Sequence, residues 1–202
     1  LIDHVIIDGD TTSPAPWEEL AELFKEHKPA AAAVDSGFNT SAVYSFVSKL
    51  RYCRAIKGMP GFNRPFIEDE IKRRQRLRKA KRGVAVEPIG VDNGKLIIHQ
   101  RLRNAAAGPG FIHFRDDVAF DNEYFAQLTA EKLTVKYRYG RPKQEWQQTR
   151  PRNEALDCLV YAMAAVRLVG LEHGLAVVSK PTASQPTDPR LFRGRSRRSV
   201  IN

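Results

Sequence analysis

The sequence is poor in sulfur and has no long apolar run. Its two cysteines, Cys53 and Cys158, form no zinc-ligand spacing with His4, His27, His99, His113 or His173. Each lies in an apolar stretch, so both are expected to be buried, reduced thiols. No apolar run reaches the ~18 residues that a bilayer span requires. No charged-apolar-small leader opens the sequence, so the expectation is a chain that is neither membrane-bound nor secreted. A Gly-x4-Gly-Lys-Ser/Thr loop is missing, which excludes a P-loop ATPase. No internal repeat of solenoid period occurs.

Positive charge is abundant. Lys and Arg number 33 against 23 Asp and Glu, a net charge of +10 over 202 residues. That balance makes nucleic acid the leading partner class. A membrane surface is the weaker reading, because the basic run lacks bulky aromatic residues to insert. The charge peaks at 72–82, where eight of eleven residues are cationic: Lys72, Arg73, Arg74, Arg76, Arg78, Lys79, Lys81 and Arg82. No acid follows Glu70 within this run, so ion-pair lacing is expected to be missing and phosphate contact is the better reading. The plainer alternative is a solvated helical face. A second cluster, Arg190, Arg193, Arg195, Arg197 and Arg198, lies in a Pro-, Ser- and Thr-rich tail that reads as flexible. Phosphate contact, docking to a protein and simple solubilisation stand level for it.

The length suits one α/β domain, expected over 1–170, with a basic tail at 171–202. Residues 1–8 read as a strand. A helix is expected over 16–26, a strand over 30–34, a helix from Asn39 or Thr40 to Leu50, and a strand over 52–56. Residues 84–89 and 95–102 read as strands of a hairpin turning at Asp92, Asn93 and Gly94. A short strand follows at 111–114, then a helix at 122–132 and a polar, aromatic hairpin within 136–148. A final helix follows Pro151 and closes near Gly170 or Gly174. From Ala155 to Val166 it is apolar apart from Asp157 and Tyr161, so burial on nearly all sides is expected.

Asp157 is therefore conspicuous. A carboxylate on a buried helix is costly unless a cation or hydrogen bonds compensate it. Asp35 closes a second apolar run, at the carboxyl end of a strand, where ligands bind in open α/β sheets. Two such acids suggest a site for Mg²⁺ or Mn²⁺ acting on a phosphodiester. The plainer alternative makes Asp35 a turn cap before Ser36 and Gly37, and Asp157 a satisfied core acid. Glu154, three residues earlier on the same helix face, is a third candidate ligand or simply a first-turn acid. Lys57, beside Gly58, reads as an edge lysine or a phosphate contact.

Five stretches occur in a telling order: AVDSG at 33–37, AIKG at 55–58, GPGFIHF at 108–114, EYFAQLTAE at 123–131 and RNEALDCLVYA at 152–162. Together they resemble the nuclease domain of the lambda-type large terminase subunit of tailed bacteriophages. The resemblance covers about residues 1–170. It implies an RNase H-like fold, a central mixed sheet flanked by helices, and a two-metal endonuclease that cuts concatemeric viral DNA. The family's strand-end acid falls on Asp35 and its helix acid on Asp157, as catalytic metal ligands. It further implies double-stranded DNA, the small terminase subunit and the portal or procapsid as partners, in the cytoplasm of a bacterial host. RNase H-like nucleases carry another aspartate on the first strand of an antiparallel meander. The chain opens on what resembles the third strand of that meander, so the first strands are missing from it. A non-catalytic DNA-binding or docking module, and a resolvase-like nuclease, are the alternatives.

Overall fold

The computed structural model of the chain describes residues 1–79 and 83–172. A three-layer α/β unit emerges. Helix α1 (Ala15–His27) leads into strand β1 (Ala32–Asp35), helix α2 (Thr40–Val47) and strand β2 (Cys53–Met59). Helix α3 (Glu70–Lys79), strand β3 (Val86–Gly90) and helix α4 (Val91–Leu102) follow. After helix α5 (Asn122–Leu128) come strands β4 (Glu131–Arg138) and β5 (Arg141–Gln148), then helix α6 (Glu154–Glu172).

Strands β1, β2 and β3 form one sheet in that order, parallel throughout, with Asp35 opposite Ile56 and Ile56 opposite Glu87. The three strands of this sheet are all parallel; antiparallel pairing occurs in a separate β4–β5 ribbon and, beside β3, at the isolated bridge between Ile67 and Ile89. Period-two alternation divides the parallel sheet between two cores. Ala32, Cys53 and Ala55 pack with Val43, Phe46 and Val47 of α2, and with Trp17 and Phe24 of α1. Ile56 and Ile89 pack on the other side with Leu156, Val160 and Ala164 of α6. Burial on both faces explains how an alanine-rich segment becomes a strand against its weak propensity.

Three expectations change. Residues 1–8 form no strand; among the described residues Leu1 finds backbone partners at His113 and Arg115. Ile2, Val5 and Ile6 are exposed, and no neighbouring strand is present among the described residues. Residues 91–102 are a helix rather than half a hairpin. Asp92 accepts from Gly61 N at 2.8 Å, and Asn93 donates to Phe62 O at 3.1 Å and Arg64 O at 2.6 Å, so these two residues fasten a loop instead of turning the chain. At Gly94 a Cβ would stand 2.7 Å from Phe66 and 2.9 Å from Val160, so glycine lets α4 lie against the core. Residues 111–114 form no strand.

Helix α6 is not buried all round. Cys158, Ala162 and Val166, four apart, are exposed, so one of the two free thiols lies outside the core. This stripe, with Leu20 and Phe24 of α1 and the unpaired edge of β1, walls an apolar groove of about 1040 Å³. Among the described residues no helix is long and apolar enough to cross a membrane. The tail arginines Arg190 to Arg198 lie outside the described residues, as do Lys81 and Arg82.

Candidate active site

Asp35 and Asp157 both line that groove. Asp35 ends β1, and its Oδ1 accepts from Gly37 N at 3.2 Å, while Ser36 turns inward and donates to Ile56 O at 2.8 Å. The turn cap thus exists, and the Asp35 residue remains exposed beside it. Asp157 sits in the first turn of α6, where the helix dipole favours an anion. Both acids line the groove, with Glu154 and Tyr161.

A charged cluster stands behind Asp157. Lys95 of α4 places Nζ 2.5 Å from Glu131 Oε1 and 3.3 Å from Asp157 Oδ1. Asn153 donates Nδ2 to Glu131 Oε1 at 2.7 Å and to Asp157 Oδ2 at 3.2 Å. Each Asp157 oxygen therefore has a partner, and its carboxylate is oriented from two sides. The Lys95 and Glu131 side chains are only 11% and 6% exposed, whereas that of Asp157 is 37% exposed. Only Asp157 of the three faces outward to any extent.

Electrostatics mark Asp157 as under-compensated. Burial pushes its carboxyl above the usual aspartate range; Lys95 pulls the other way, and the charges of Glu131 and Asp35 add to the rise. One ammonium pairs with two carboxylates, Glu131 and Asp157. Tyr161 is raised as well, by burial first and then by Asp35 and Asp157. Its hydroxyl lies where a Cβ on Gly58 would approach to 2.7 Å, so the glycine of the AIKG stretch makes room for the tyrosine of the RNEALDCLVYA stretch.

Hard, anionic oxygen donors with surplus negative charge suit Mg²⁺ or Mn²⁺. Asp35 and Asp157 carry donors of that type, and among the described residues no three His, Cys, Asp or Glu side chains are grouped to hold an ion. Glu154 is exposed and pairs with Arg152 at 3.4 Å. Lys57 is exposed on β2.

The expectation that ion-pair lacing is missing from 72–82 is overturned. Lys72 pairs with Asp69 at 3.2 Å and Arg74 with Glu70. Arg73 is buried and meets Glu87 at 2.9 Å; Arg76 bridges Glu68 and the same Glu87. The acids come from just before the run and from β3. Arg78 and Lys79 are both exposed.

Sequence reasoning passed over Lys95 and Glu131. A signal was present: Lys95 is a lone cation before Leu96, Ile97 and Ile98, the mirror of a lone Asp157 in an apolar helix.

The family model of the terminase large subunit gpA endonuclease domain matches residues 1–177. The large terminase subunit of Escherichia phage lambda is 36% identical over 185 residues, covering 83% of this chain and 28% of the phage protein. That of Enterobacteria phage P21 is 34% identical over 145 residues, covering 67% of this chain and 22% of its own length. The chain thus spans about a quarter of the length of these relatives. No solved structure matches it. The chain belongs to the family of the endonuclease domain of the terminase large subunit gpA.

Proposed function

We propose that the chain is the DNA-cutting unit of a viral packaging terminase, a metal-dependent endonuclease whose described ligands are Asp35 and Asp157. The observation that carries this reading is the shared groove, where the charge of Asp35 adds to the rise of Asp157 and Lys95 compensates Asp157 only in part. Asp35 and Asp157 would hold Mg²⁺ or Mn²⁺. Bound there, the metal would polarise the scissile phosphate and activate water. Lys95 and Asn153 orient Asp157, and Tyr161 limits water on the groove's inner side. Glu154 lines the same groove and would serve as an outer ligand. Double-stranded DNA is the substrate, and the α3 cations Lys72, Arg74, Arg78 and Lys79 contribute phosphate contacts. The small terminase subunit and the portal are partners of the longer subunit.

The unpaired edge of β1 beside an apolar groove supports an RNase H-like reading. In the longer subunit, preceding strands would pair with β1 and bring a further acid toward Asp35. The same edge favours a second reading for the 202-residue chain by itself, binding without cleavage. Supercoiled plasmid incubated with Mn²⁺ separates the two. Nicking by the longer subunit that EDTA stops supports the nuclease. Retardation without nicking by both proteins would leave only a binding module.

A further inference from the structure

The β4–β5 ribbon projects from the site without joining the main sheet. Its register sets Leu133 opposite Trp146, Val135 opposite Gln144 and Tyr137 opposite Pro142. These positions form one largely apolar side. Trp146 anchors the root, donating Nε1 to Asp92 O at 3.0 Å and packing its ring 4.7 Å from that of His99. The intervening positions form the other side, where Lys136 stands opposite Lys143 and Arg138 opposite Arg141. From 132 to 143 there are five cations and no acid. Like charges directly across a strand pair destabilise it, and the neighbouring Glu145 pairs with Lys136. Arg141 and Lys143 are exposed. The tip, at Tyr139 and Gly140, turns through positive φ, with Tyr139 fully exposed and Tyr137 74% exposed.

The root of the ribbon belongs to the catalytic region. Glu131, the first residue of β4, holds Lys95, which holds Asp157. A groove of about 1040 Å³ of mixed polar and apolar lining runs between the ribbon and the 60–64 loop, and Lys95, Glu131 and Lys143 form part of its wall.

We infer that the cationic side of the β4–β5 ribbon is the principal duplex-DNA grip of this domain and that it feeds the phosphodiester backbone toward Asp35 and Asp157. This rests on the nuclease reading above. A two-stranded ribbon has the dimensions to lie in the major groove of a duplex, about 12 Å wide. The exposed Arg141 and Lys143 are open to phosphates. On the opposing side, Trp146 fixes the root of the ribbon.

The test is a fluorescence-anisotropy titration of the 202-residue chain on two unrelated duplexes at several salt concentrations. The combined variant Lys136→Gln, Arg141→Gln, Lys143→Gln should bind about tenfold more weakly or worse on both. Its log-log salt slope should fall by about 0.9 for each phosphate that is no longer neutralised. Lys136→Arg with Lys143→Arg should retain affinity, since charge is kept. A comparison variant on α3, Arg78→Gln with Lys79→Gln, should lose less. Thermal melts confirm that each variant folds. A ribbon variant that binds like the unaltered chain, or loses no more than the α3 variant, overturns the ribbon assignment and leaves the nuclease reading standing. An unaltered chain with no duplex affinity at low salt overturns both.

Discussion

Helix α3 and the β4–β5 ribbon both carry dense positive charge, and they dispose of it in opposite ways. On α3, Lys72, Arg73, Arg74 and Arg76 each face an acid, and Glu87 reaches across from β3 to take two of them. On the ribbon, like-charged residues stand across from one another, and Glu145 answers Lys136 from the neighbouring position. Counting cations along the sequence ranks α3 first. Counting them after folding favours the ribbon, because partners distant in sequence decide how much charge remains for a ligand. Much of the α3 charge closes the sheet's β3 side; on the ribbon, Arg141 and Lys143 are exposed.

Removing Glu87 should break this contrast most severely. Its side chain is 3% exposed and that of Arg73 is 7% exposed. Glu87→Gln should cost about 3–5 kcal/mol in denaturant unfolding, because a buried guanidinium loses its counter-ion. A loss below about 1 kcal/mol would show that α3 is held on by something else.

Lys95→Met comes next. It leaves Glu131 and Asp157 facing each other without their cation. The loss should be about 3 kcal/mol, the low end for a broken buried pair, because Asp157 is partly exposed and Asn153 still bonds both acids. Added Mn²⁺ should restore part of the melting temperature in this variant. Unchanged stability with and without Mn²⁺ would dissolve the link between the ribbon root and Asp157.

His99 offers a smaller, pH-dependent handle on the ribbon root. Burial depresses its pKa, with Arg103 next, and its Nε2 is buried without a partner. With the folded pKa below the unfolded value, the unfolded chain takes up the proton first. Stability contributed by neutral His99 is present above about pH 6.5 and is lost as pH falls through the folded pKa. His99→Phe should therefore flatten the decline in melting temperature below about pH 6.5. Parallel pH profiles for both proteins would contradict this.

The smallest effect belongs to the ribbon charges. Lys143→Gln should change stability by less than about 0.5 kcal/mol, as surface substitutions do, and in the stabilising direction, since it removes a like-charge pair. A loss above about 1 kcal/mol would mean that Lys143 has a structural role.

The parts legible in the sequence share a physical cause. Strands β1 and β2 and helix α6 are buried stretches whose periodicity and flanking turns act locally. Asp35 and Asp157 stood out because each interrupts or ends an apolar run. What escaped was decided by packing between distant segments. Asp92, Asn93 and Gly94 have turn chemistry, but the loop at 61–64 and Phe66 recruit them into a helix. Residues 1–8 have strand composition but lack a partner strand among the described residues. Glu131 reads as the end of a helix, while in space it is the hinge of a charged cluster. The acids facing α3 were invisible to a window limited to the basic run.

The most direct test of the central claim is cleavage and binding measured together on the longer terminase subunit. Asp35→Asn and Asp157→Asn each keep side-chain shape while removing the charge that would hold a divalent ion. Plasmid nicking in Mn²⁺ should fall below detection for both variants, while duplex affinity stays within about threefold of the unaltered subunit. Full cleavage by either variant would contradict the assignment of these two acids as the metal-binding pair.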